Sequence, residues 1–401
     1  MKLTHLFAGA AALALVATAN ADVTINITGA TAFRAAAHQA ILTSFTSVNY
    51  AFNAATLGSA GQAIFQGSFP GITGTTTIRT SWSGSVEGVR DLTAQTNVNF
   101  LTPAAIVNAG ANPNATTGTD PGKAQFGFSD VFQTSTPYLV PTLGGGPVGV
   151  VVFTMIGNEG IPITNITAQQ FRAVVGRGFQ PLSLFTGVAA DTARVFATGR
   201  NDFSGTRTTY LAETGYGIAN PVQQFKVTAE DATTITTIRL WPANDGNNAS
   251  TVWGNNVDGN GGYSSGGTVA GVLGKTSASA SVLDAGGAQV FPAAQVYLVS
   301  WLGMSDAINA ITNGAVGLGY DGVKITPANP LSATDRAKVT QGQYTAWGYE
   351  HLFFSGVLSA DAQTFYNTLV AGMNATNLGA SGIPLGEMSV GRTDDGGTVA
   401  P

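Results

Sequence analysis

The chain has 401 residues, of which 52 are Gly, 16 are Pro and none is Cys. Charged residues make up 10% of the chain and hydrophobic residues 44%, whereas about 25% of a typical soluble protein is charged. This composition is too apolar for general disorder, and the lack of Cys excludes disulfides, thiol catalysis and Cys-ligated zinc. The length predicts a large core divided over two lobes or domains.

The charge balance is 17 basic against 22 acidic residues, a formal net charge of −5. No basic run occurs, so the sequence predicts no nucleic-acid partner and no binding to an anionic membrane surface. The three histidines are His5, His38 and His351. A three-His metal site would need all of them, and His5 falls in a predicted leader, so we expect no metal and no cofactor.

Residues 1–21 have the pattern of a secretory signal peptide. A short polar start precedes an apolar run from Leu6 to Ala17, and Ala19-Asn20-Ala21 is a typical cleavage site before Asp22. The apolar run is too short to span a membrane. We therefore expect a cleaved chain that is periplasmic or secreted, with no membrane insertion and, because it lacks Cys, no lipid anchor.

Strand and helix patterns alternate along the first half of the mature chain. Residues Val23 to Ile27 alternate with a period of two, which predicts a strand, and apolar residues from Phe33 to Phe45 recur at helical spacing. The same order recurs where Thr75 to Trp82 precedes Val86 to Leu92. The continuous β-branched run from Val148 to Ile156 predicts a strand that is buried on both faces.

The second half repeats this alternation. Thr167 is predicted to cap a helix, and Arg194 to Thr198 to form a strand that precedes a helix ending near Gly215. A further strand is predicted from Ala315 to Tyr320, and a late helix after Ser359. Strands that alternate with helices predict an α/β fold with mostly parallel sheets and flanking helices, and ligands bind beyond the carboxyl ends of such strands.

Three strand-to-helix junctions are rich in hydroxyl groups and glycine. They are Thr28 to Thr31, Ser83 to Ser85, and Ser204 to Thr206. Helix N-termini present free N–H groups and partial positive charge, so each junction could bind an anion. Taken singly, each is better explained as a simple N-cap, because Ser and Thr are preferred there.

The third junction carries an additional cation. Arg200 supplies a planar fork of donors that suits a tetrahedral oxyanion, and Asp202 could hold that fork in place. Ser204, Gly205 and Thr206 then add hydroxyl and amide donors. This cluster favours anion binding over simple capping.

The string from Arg200 to Thr206, Arg-x-Asp-x-Ser-Gly-Thr, resembles the most specific signature of the periplasmic phosphate-binding proteins of phosphate ABC importers. Residues 28–33 resemble the opening phosphate loop of that family, Gly84-Ser85 its second loop, and residues 126–130 a segment that ends in a phosphate-facing Asp. The order of these pieces matches over most of the mature chain. The resemblance implies a phosphate site made by Thr31, Ala32, Ser85, Asp130, Arg200, Ser204, Gly205 and Thr206, with Asp202 in support.

The resemblance also implies a two-lobed type II periplasmic binding fold with its ligand cleft between the lobes. Residues 22–155 would form the first part of lobe I, 156–324 lobe II, and 325–401 the return to lobe I with a C-terminal tail. Residues 243–267 are rich in Asn, Gly and Ser, and we expect them to be a surface insertion. The last 20 or so residues are Gly-rich, and we expect them to fray.

Two acidic residues bear on the choice of ligand. Phosphate keeps a proton near neutral pH and sulfate does not, so an ionised Asp130 could accept the phosphate proton and reject sulfate; alternatively, Asp130 caps a turn. Glu87 stands close to the second loop, where a carboxylate would repel an anion. Either its side chain points away from the cleft or the ligand differs.

The leading hypothesis is a monomeric, non-enzymatic solute-binding protein that captures inorganic phosphate and delivers it to the membrane components of an ABC importer. Alternatives are the binding of another tetrahedral oxyanion, a β-rich extracellular structural or matrix protein, and a secreted phosphatase-like activity on the same fold. A phosphatase would need a metal cluster or an activated nucleophile, and the sequence indicates neither. We expect His38 and His351 to be packing residues.

Overall fold

The fold is described by a computed structural model that covers residues 22–106, 118–375, 378–379 and 382–401. The predicted signal peptide, residues 1–21, lies outside the described residues. Within the described ranges, no helix combines the length and the apolar content needed to cross a bilayer.

Helices flank the sheets, and several of them follow the predicted strand-to-helix junctions. Their bounds are α1 Arg34–Ser44, α2 Ser85–Ala94, α3 Ala168–Arg177, α4 Ser183–Thr186, α5 Gly205–Glu213, α6 Gly266–Leu273, α7 Met304–Thr312, α8 Ala333–Thr340 and α9 Ala360–Ala375.

Strands make up the rest of the regular structure. Their bounds are β1 Val23–Gly29, β2 Ser47–Phe52, β3 Gln62–Ser68, β4 Thr76–Trp82, β5 Asn97–Leu101, β6 Thr119–Lys123, β7 Phe126–Ser129, β8 Gly144–Gly157, β9 Asn165–Ile166, β10 Phe179–Pro181, β11 Arg194–Ala197, β12 Phe225–Glu230, β13 Ile235–Leu240, β14 Ala280–Leu283, β15 Gln289–Ala294, β16 Val296–Gly303, β17 Val316–Tyr320 and β18 Trp347–Phe354.

The main sheet has the strand order β10-β11-β16-β8-β18-β7-β1-β4-β3-β2. The strands that lead into the predicted anion loops each have at least one parallel neighbour, as β1 has in β4 and β7, and β11 in β16. The strands that join these groups, β8 and β18, and the strands β2, β3 and β10 toward the two edges pair antiparallel. The predicted α/β class with flanking helices is confirmed, and the parallel strands are the ones that place the loops.

The long strand β8 connects two halves of the molecule. Its first part, Gly144 to Val152, pairs with β18, whereas Phe153 to Gly157 pairs with β16. Seven of its residues, Val150 to Ile156, are Val, Phe, Thr, Met and Ile in an unbroken run, and both faces of that run are buried. The strand therefore passes from the β1-side lobe, lobe I, into the β11-side lobe, lobe II. The exact boundaries of the lobes stay a prediction.

The core of lobe I lies between the sheet and the pair of helices α1 and α9. The late helix buries Phe365, Leu369 and Met373, as its spacing predicts. The ring centroids of Phe365 and Phe126 on β7 are 5.4 Å apart. Lobe II has a second core, which packs α6 and α7 against β16 and the separate four-stranded sheet β12-β13-β14-β15.

The prediction that residues 243–267 form a surface insertion is wrong for the second half of this segment. Asn260 is 2% exposed and accepts a hydrogen bond from the backbone N–H of Val222 at 2.9 Å. A Cβ on Gly261 would lie 2.0 Å from the Trp241 ring, and one on Gly262 would lie 2.2 Å from the carbonyl of Arg200. Glycine is needed here because the chain passes directly against buried groups, so the segment is part of lobe II.

The C-terminal residues are packed, so the expectation that they fray is also wrong. Arg392 is buried, forms an ion pair with Glu213 at 3.1 Å and lies 4.1 Å from the centre of the Trp347 ring. The Asp395 carboxylate accepts a hydrogen bond from the N–H of Phe132 at 2.9 Å. These contacts tie the tail to α5 in lobe II and to the loop after β7 in lobe I.

This packing predicts that Arg392→Ala lowers the free energy of unfolding by about 3–5 kcal/mol, because it leaves Glu213 buried without its charge partner. The matched control is Arg336→Ala, which removes an exposed ion pair with Glu387 and should cost less than about 1 kcal/mol. Urea unfolding of both variants measures the difference. Equal losses would show that the tail is not held by the buried pair.

Candidate functional site

The three predicted junctions all precede helices. Helix α2 begins at Ser85 after Gly84, whose φ of +134° is one that glycine adopts readily. Helix α5 begins at Gly205, and the side chain of Ser204 accepts a hydrogen bond from the N–H of Arg207 at 3.4 Å, so Ser204 is an N-cap. Helix α1 follows the turn that contains Thr31. Ser204 is therefore both the N-cap of α5 and a member of a predicted anion-binding junction.

The α2 and α5 junctions meet across the cleft. Ser85 Oγ donates a hydrogen bond to Asp130 Oδ1, and both residues are about 1% exposed. A Cβ on Gly205 would lie 1.4 Å from Asp130 Oδ1 and 2.5 Å from Ser85 Oγ. The N–H of Val86 also donates to the carbonyl of Phe203 at 3.1 Å. The first turn of α5 in lobe II therefore lies directly against a carboxylate of lobe I.

Asp130 has an environment that sets its charge near neutral pH. Burial raises its pKa to about 6, although the hydrogen bond from Ser85 and the charge of Arg200 both lower it. The carboxyl is therefore mostly ionised at pH 7 and can accept a proton in a hydrogen bond.

Glu350 on β18 is a buried acid that the sequence analysis missed. It is fully buried, and neither of its carboxyl oxygens has a hydrogen-bond partner among the described residues. Burial raises its pKa well above the usual range, and the charge of Asp130 raises it further. Both effects favour the neutral form of the Glu350 carboxyl beside Asp130. Its neighbours in the aromatic run of β18 gave no sign of this role.

Arg200 is 2% exposed, and neutral groups from both lobes hold its guanidinium. Nε donates to the carbonyl of Tyr263 at 3.1 Å, and one terminal nitrogen donates to the carbonyl of Ser264 at 2.8 Å. The other donates to Thr31 Oγ1 in lobe I at 3.4 Å. Two of its five N–H groups stay available to a ligand.

The charge of Arg200 is not neutralised by a close carboxylate. Within the part of the chain that the structure describes, no carboxylate oxygen lies within 4.0 Å of its guanidinium. Burial lowers its pKa to about 10, while the more distant charges of Asp306 and Asp130 raise it. The side chain is still protonated at pH 7, so a buried positive charge faces the cleft.

Asp202 does not support Arg200, so that prediction is wrong. Its carboxylate accepts hydrogen bonds from Ser250 Oγ and from the N–H of Val252, both at 2.7 Å. Asp202 therefore fixes the first half of segment 243–267, while Tyr263 and Ser264 in the second half hold Arg200.

The remaining predicted residues lie around this centre. Thr206 is buried in the first turn of α5. Ala32 is half-buried, and its Cβ would lie 3.3 Å from a Cβ on Gly303, which caps α7. Two further residues near the cleft were missed: Arg34 at the start of α1, and Asp306 in the first turn of α7, whose pKa burial raises. The junction between β16 and α7 has the same strand–Gly–helix order as the others and could have been found by that order.

The Glu87 side chain does not point away from the cleft, as one alternative required. It lines a cavity between the lobes and accepts a hydrogen bond from Arg90 at 2.7 Å. Burial raises its pKa, although the charge of Arg90 lowers it. The ion pair reduces the repulsion that a bare carboxylate would exert on an anion.

The two histidines among the described residues are buried and hydrogen-bonded, as expected. His38 Nε2 accepts from Trp82 Nε1 at 2.8 Å, and its Nδ1 is 2.8 Å from the carbonyl of Leu57. His351 Nδ1 is 3.2 Å from the carbonyl of Ser129. Burial lowers the pKa of each to about 4, so both are neutral at pH 7. Among the described residues, no three His, Asp or Glu side chains form a metal-binding cluster.

Several solved structures are similar to this chain over most of its length. A putative phosphate ABC transporter substrate-binding protein with bound phosphate from Clostridium perfringens is 11% identical, with a TM-score of 0.44, over 86% of this chain and 92% of its own. An ABC-type phosphate transport receptor from Vibrio cholerae is 9% identical, with a TM-score of 0.41, over 86% and 93%.

A high-affinity periplasmic phosphate-binding protein bound with phosphate at pH 8.5 is 14% identical, with a TM-score of 0.41, over 90% of this chain and 91% of its own. No protein-family model matches this chain, and no curated protein matches it.

The contact between Gly205 and Asp130 predicts that Gly205→Ala disrupts the cleft. The added methyl group would overlap the carboxylate, and overpacking of this kind costs about 1–3 kcal/mol. The matched control is Gly271→Ala in α6, where a Cβ meets no atom within 4 Å and where helix propensity should add about 0.5–1 kcal/mol. Thermal unfolding of both variants tests this contact, and a Gly205→Ala variant as stable as wild type would contradict it.

Proposed function

We propose that this protein is a non-enzymatic solute-binding protein that captures inorganic phosphate in the cleft between its lobes. The observation that carries the proposal is the buried guanidinium of Arg200, which no carboxylate neutralises at close range among the described residues. Burying an unpaired charge is costly. An anion bound beside Arg200 would offset that cost.

The chemistry around Arg200 favours a tetrahedral oxyanion. The guanidinium offers parallel donors to two oxygens of one ligand. The first turn of α5, from Gly205 on, offers free N–H groups and the positive end of the helix dipole. The hydroxyls of Thr31 and Thr206 lie at the same junctions, whereas the hydroxyl proton of Ser85 is already donated to Asp130. Together these donors would surround an anion from both lobes.

Asp130 favours the binding of phosphate over the binding of a fully deprotonated anion. With a pKa of about 6, it is ionised at pH 7 and would accept the proton that phosphate retains. Sulfate has no such proton, so its oxygens would face the lone pairs of the carboxylate. A buried group left without its partner costs about 1–3 kcal/mol, which is the basis of the proposed selectivity.

The place of this activity follows from the leader and the fold. We infer that residues 1–21 direct export and that the mature protein acts as a monomer in the periplasm or outside the cell. It would deliver phosphate to the membrane components of an ABC importer. What supports this step is the joining of both lobes by β8, which allows the lobes to close on a ligand and reopen at a membrane partner.

Arg200→Ala should weaken phosphate binding by a factor of about 30 to several thousand, since the loss of one partner of a buried charge pair costs about 2–5 kcal/mol. The matched control is Arg177→Ala, which removes the same charge from an exposed position at the end of α3. Calorimetric titration with inorganic phosphate compares them. Unchanged affinity in Arg200→Ala would remove this residue from the site.

Asp130→Asn should let sulfate bind while phosphate affinity changes much less. The amide has the same size, carries no charge and can donate to an unprotonated oxygen. The preference for phosphate over sulfate should fall at least tenfold, because an unpaired buried polar group costs about 1–3 kcal/mol. Paired titrations of wild type and variant with both anions measure the ratio. A wild-type protein that binds both anions equally would show that Asp130 does not select the ligand.

A further inference from the structure

A cavity of about 810 Å³ lies between the lobes next to the anion site. Thr31, whose hydroxyl accepts the hydrogen bond from Arg200, lines the cavity and joins it to the site. Lobe I supplies one wall, which includes Arg34 and Arg90, and segment 243–267 supplies part of the other. A smaller cavity of about 260 Å³ shares Thr31 and Arg34 with it.

The size of the larger cavity exceeds what inorganic phosphate needs. One water molecule takes about 30 Å³ in the liquid, and phosphate is only a few times larger. Pockets for small organic ligands measure about 300–1,000 Å³. The cavity therefore has room for an organic group attached to a phosphoryl group at Arg200.

The charges along the cavity favour an anionic ligand at its inner end. Arg34 Nε donates to the carbonyl of Gly58 at 3.3 Å, and within the described ranges no carboxylate oxygen lies within 4.0 Å of its guanidinium. Arg90, which also lines the cavity, is already paired with Glu87 at 2.7 Å and Asp91 at 3.0 Å. Arg34 therefore stands beside Thr31 as a second cation without a close carboxylate partner, and the charge of the buried Asp306 acts on it from farther away.

The remaining lining of the cavity suits a hydroxylated organic group. Ser59, Thr251 and Ser265 contribute hydroxyls. Trp82 and Phe203 contribute ring surface, and Trp82 Nε1 is committed to His38 at 2.8 Å, so Trp82 offers carbon atoms only. Hydroxyls interleaved with aromatic carbon match the alternating polar and apolar surface of a small polyol.

We propose that the cleft also binds phosphate monoesters of small polyols, with the phosphoryl group at Arg200 and the polyol in the 810 Å³ cavity. This inference rests on the proposed function, since it uses the same anion site. It adds a substrate class, because a cleft closed around inorganic phosphate alone would have no space for the ester group.

The test is calorimetric titration of the mature chain with inorganic phosphate and with glycerol 3-phosphate. The titrations are run at about pH 6.5, where phosphate monoesters with a second pKa near 6 still partly carry a proton. The dissociation constant of glycerol 3-phosphate should lie within about tenfold of that of inorganic phosphate, which is a difference of less than about 1.4 kcal/mol. The affinity is retained because the added hydroxyls find partners in the cavity.

The variant Thr251→Trp tests whether the ester group occupies the cavity. Thr251 is exposed on the cavity wall, so the large ring fills the space without disturbing the core. The substitution should weaken the binding of glycerol 3-phosphate at least tenfold and change the affinity for inorganic phosphate less than about twofold. Thr251→Ser is the matched control and should change neither.

The outcomes are separable. If inorganic phosphate binds and glycerol 3-phosphate does not, the further inference is wrong and the proposed function stands. If both ligands bind but Thr251→Trp weakens neither, or both equally, the ester does not occupy this cavity and the inference is also wrong. If neither ligand binds wild type, the proposed function itself fails.

Discussion

The burial of one positive charge, on Arg200, determines how the cleft is built. A guanidinium at 2% exposure is tolerated only when its donors are satisfied and its charge is balanced. Backbone carbonyls of Tyr263 and Ser264 satisfy part of the fork, and Thr31 of lobe I satisfies another part. Neutral acceptors fix the position of the charge without cancelling it, so the charge remains available to an anion.

The buried acids of the same region are arranged to keep that charge effective. Three carboxyls, those of Asp130, Glu350 and Asp395, lie near the end of β7, and burial raises the pKa of each. Burial favours the neutral form of Glu350, and the pKa of Asp395 is about 7. Asp130, whose pKa is about 6, is mostly ionised at pH 7, and it lies against the first turn of α5. Burial thus limits the negative charge that these carboxyls add to the cleft.

The sequence allowed much of the site to be predicted, because its residues are local. Arg200 and the Ser204–Thr206 turn stand within one loop, and a strand followed by glycine and a hydroxyl residue marks each junction in the sequence. The helices begin where those patterns predict, as α2 does at Ser85 and α5 at Gly205. Hydrophobic periodicity likewise predicted β1, the buried strand β8 and the buried stripe of α9.

The parts that were missed depend on contacts between residues far apart in the chain. Asp202 is separated from its partner Ser250 by 48 positions, and Arg200 from Ser264 by 64, and composition alone made segment 243–267 resemble a solvated loop. The C-terminal tail was misjudged for the same reason, since its Gly-rich pattern does not reveal the ion pair of Arg392 with Glu213. The aromatic strand β18 lacks the period-two alternation that predicts a strand with one exposed face, because both of its faces are largely buried.

The central claim is that Arg200 and Asp130 hold one phosphate between the lobes. A crystal structure of the mature protein grown with inorganic phosphate and without sulfate tests it most directly. The account predicts an anion whose oxygens lie about 2.7–2.9 Å from the Arg200 guanidinium, with one further oxygen within about 2.5–2.7 Å of an Asp130 carboxylate oxygen. A phosphate bound elsewhere on the protein, with Arg200 contacting only protein groups, would contradict it.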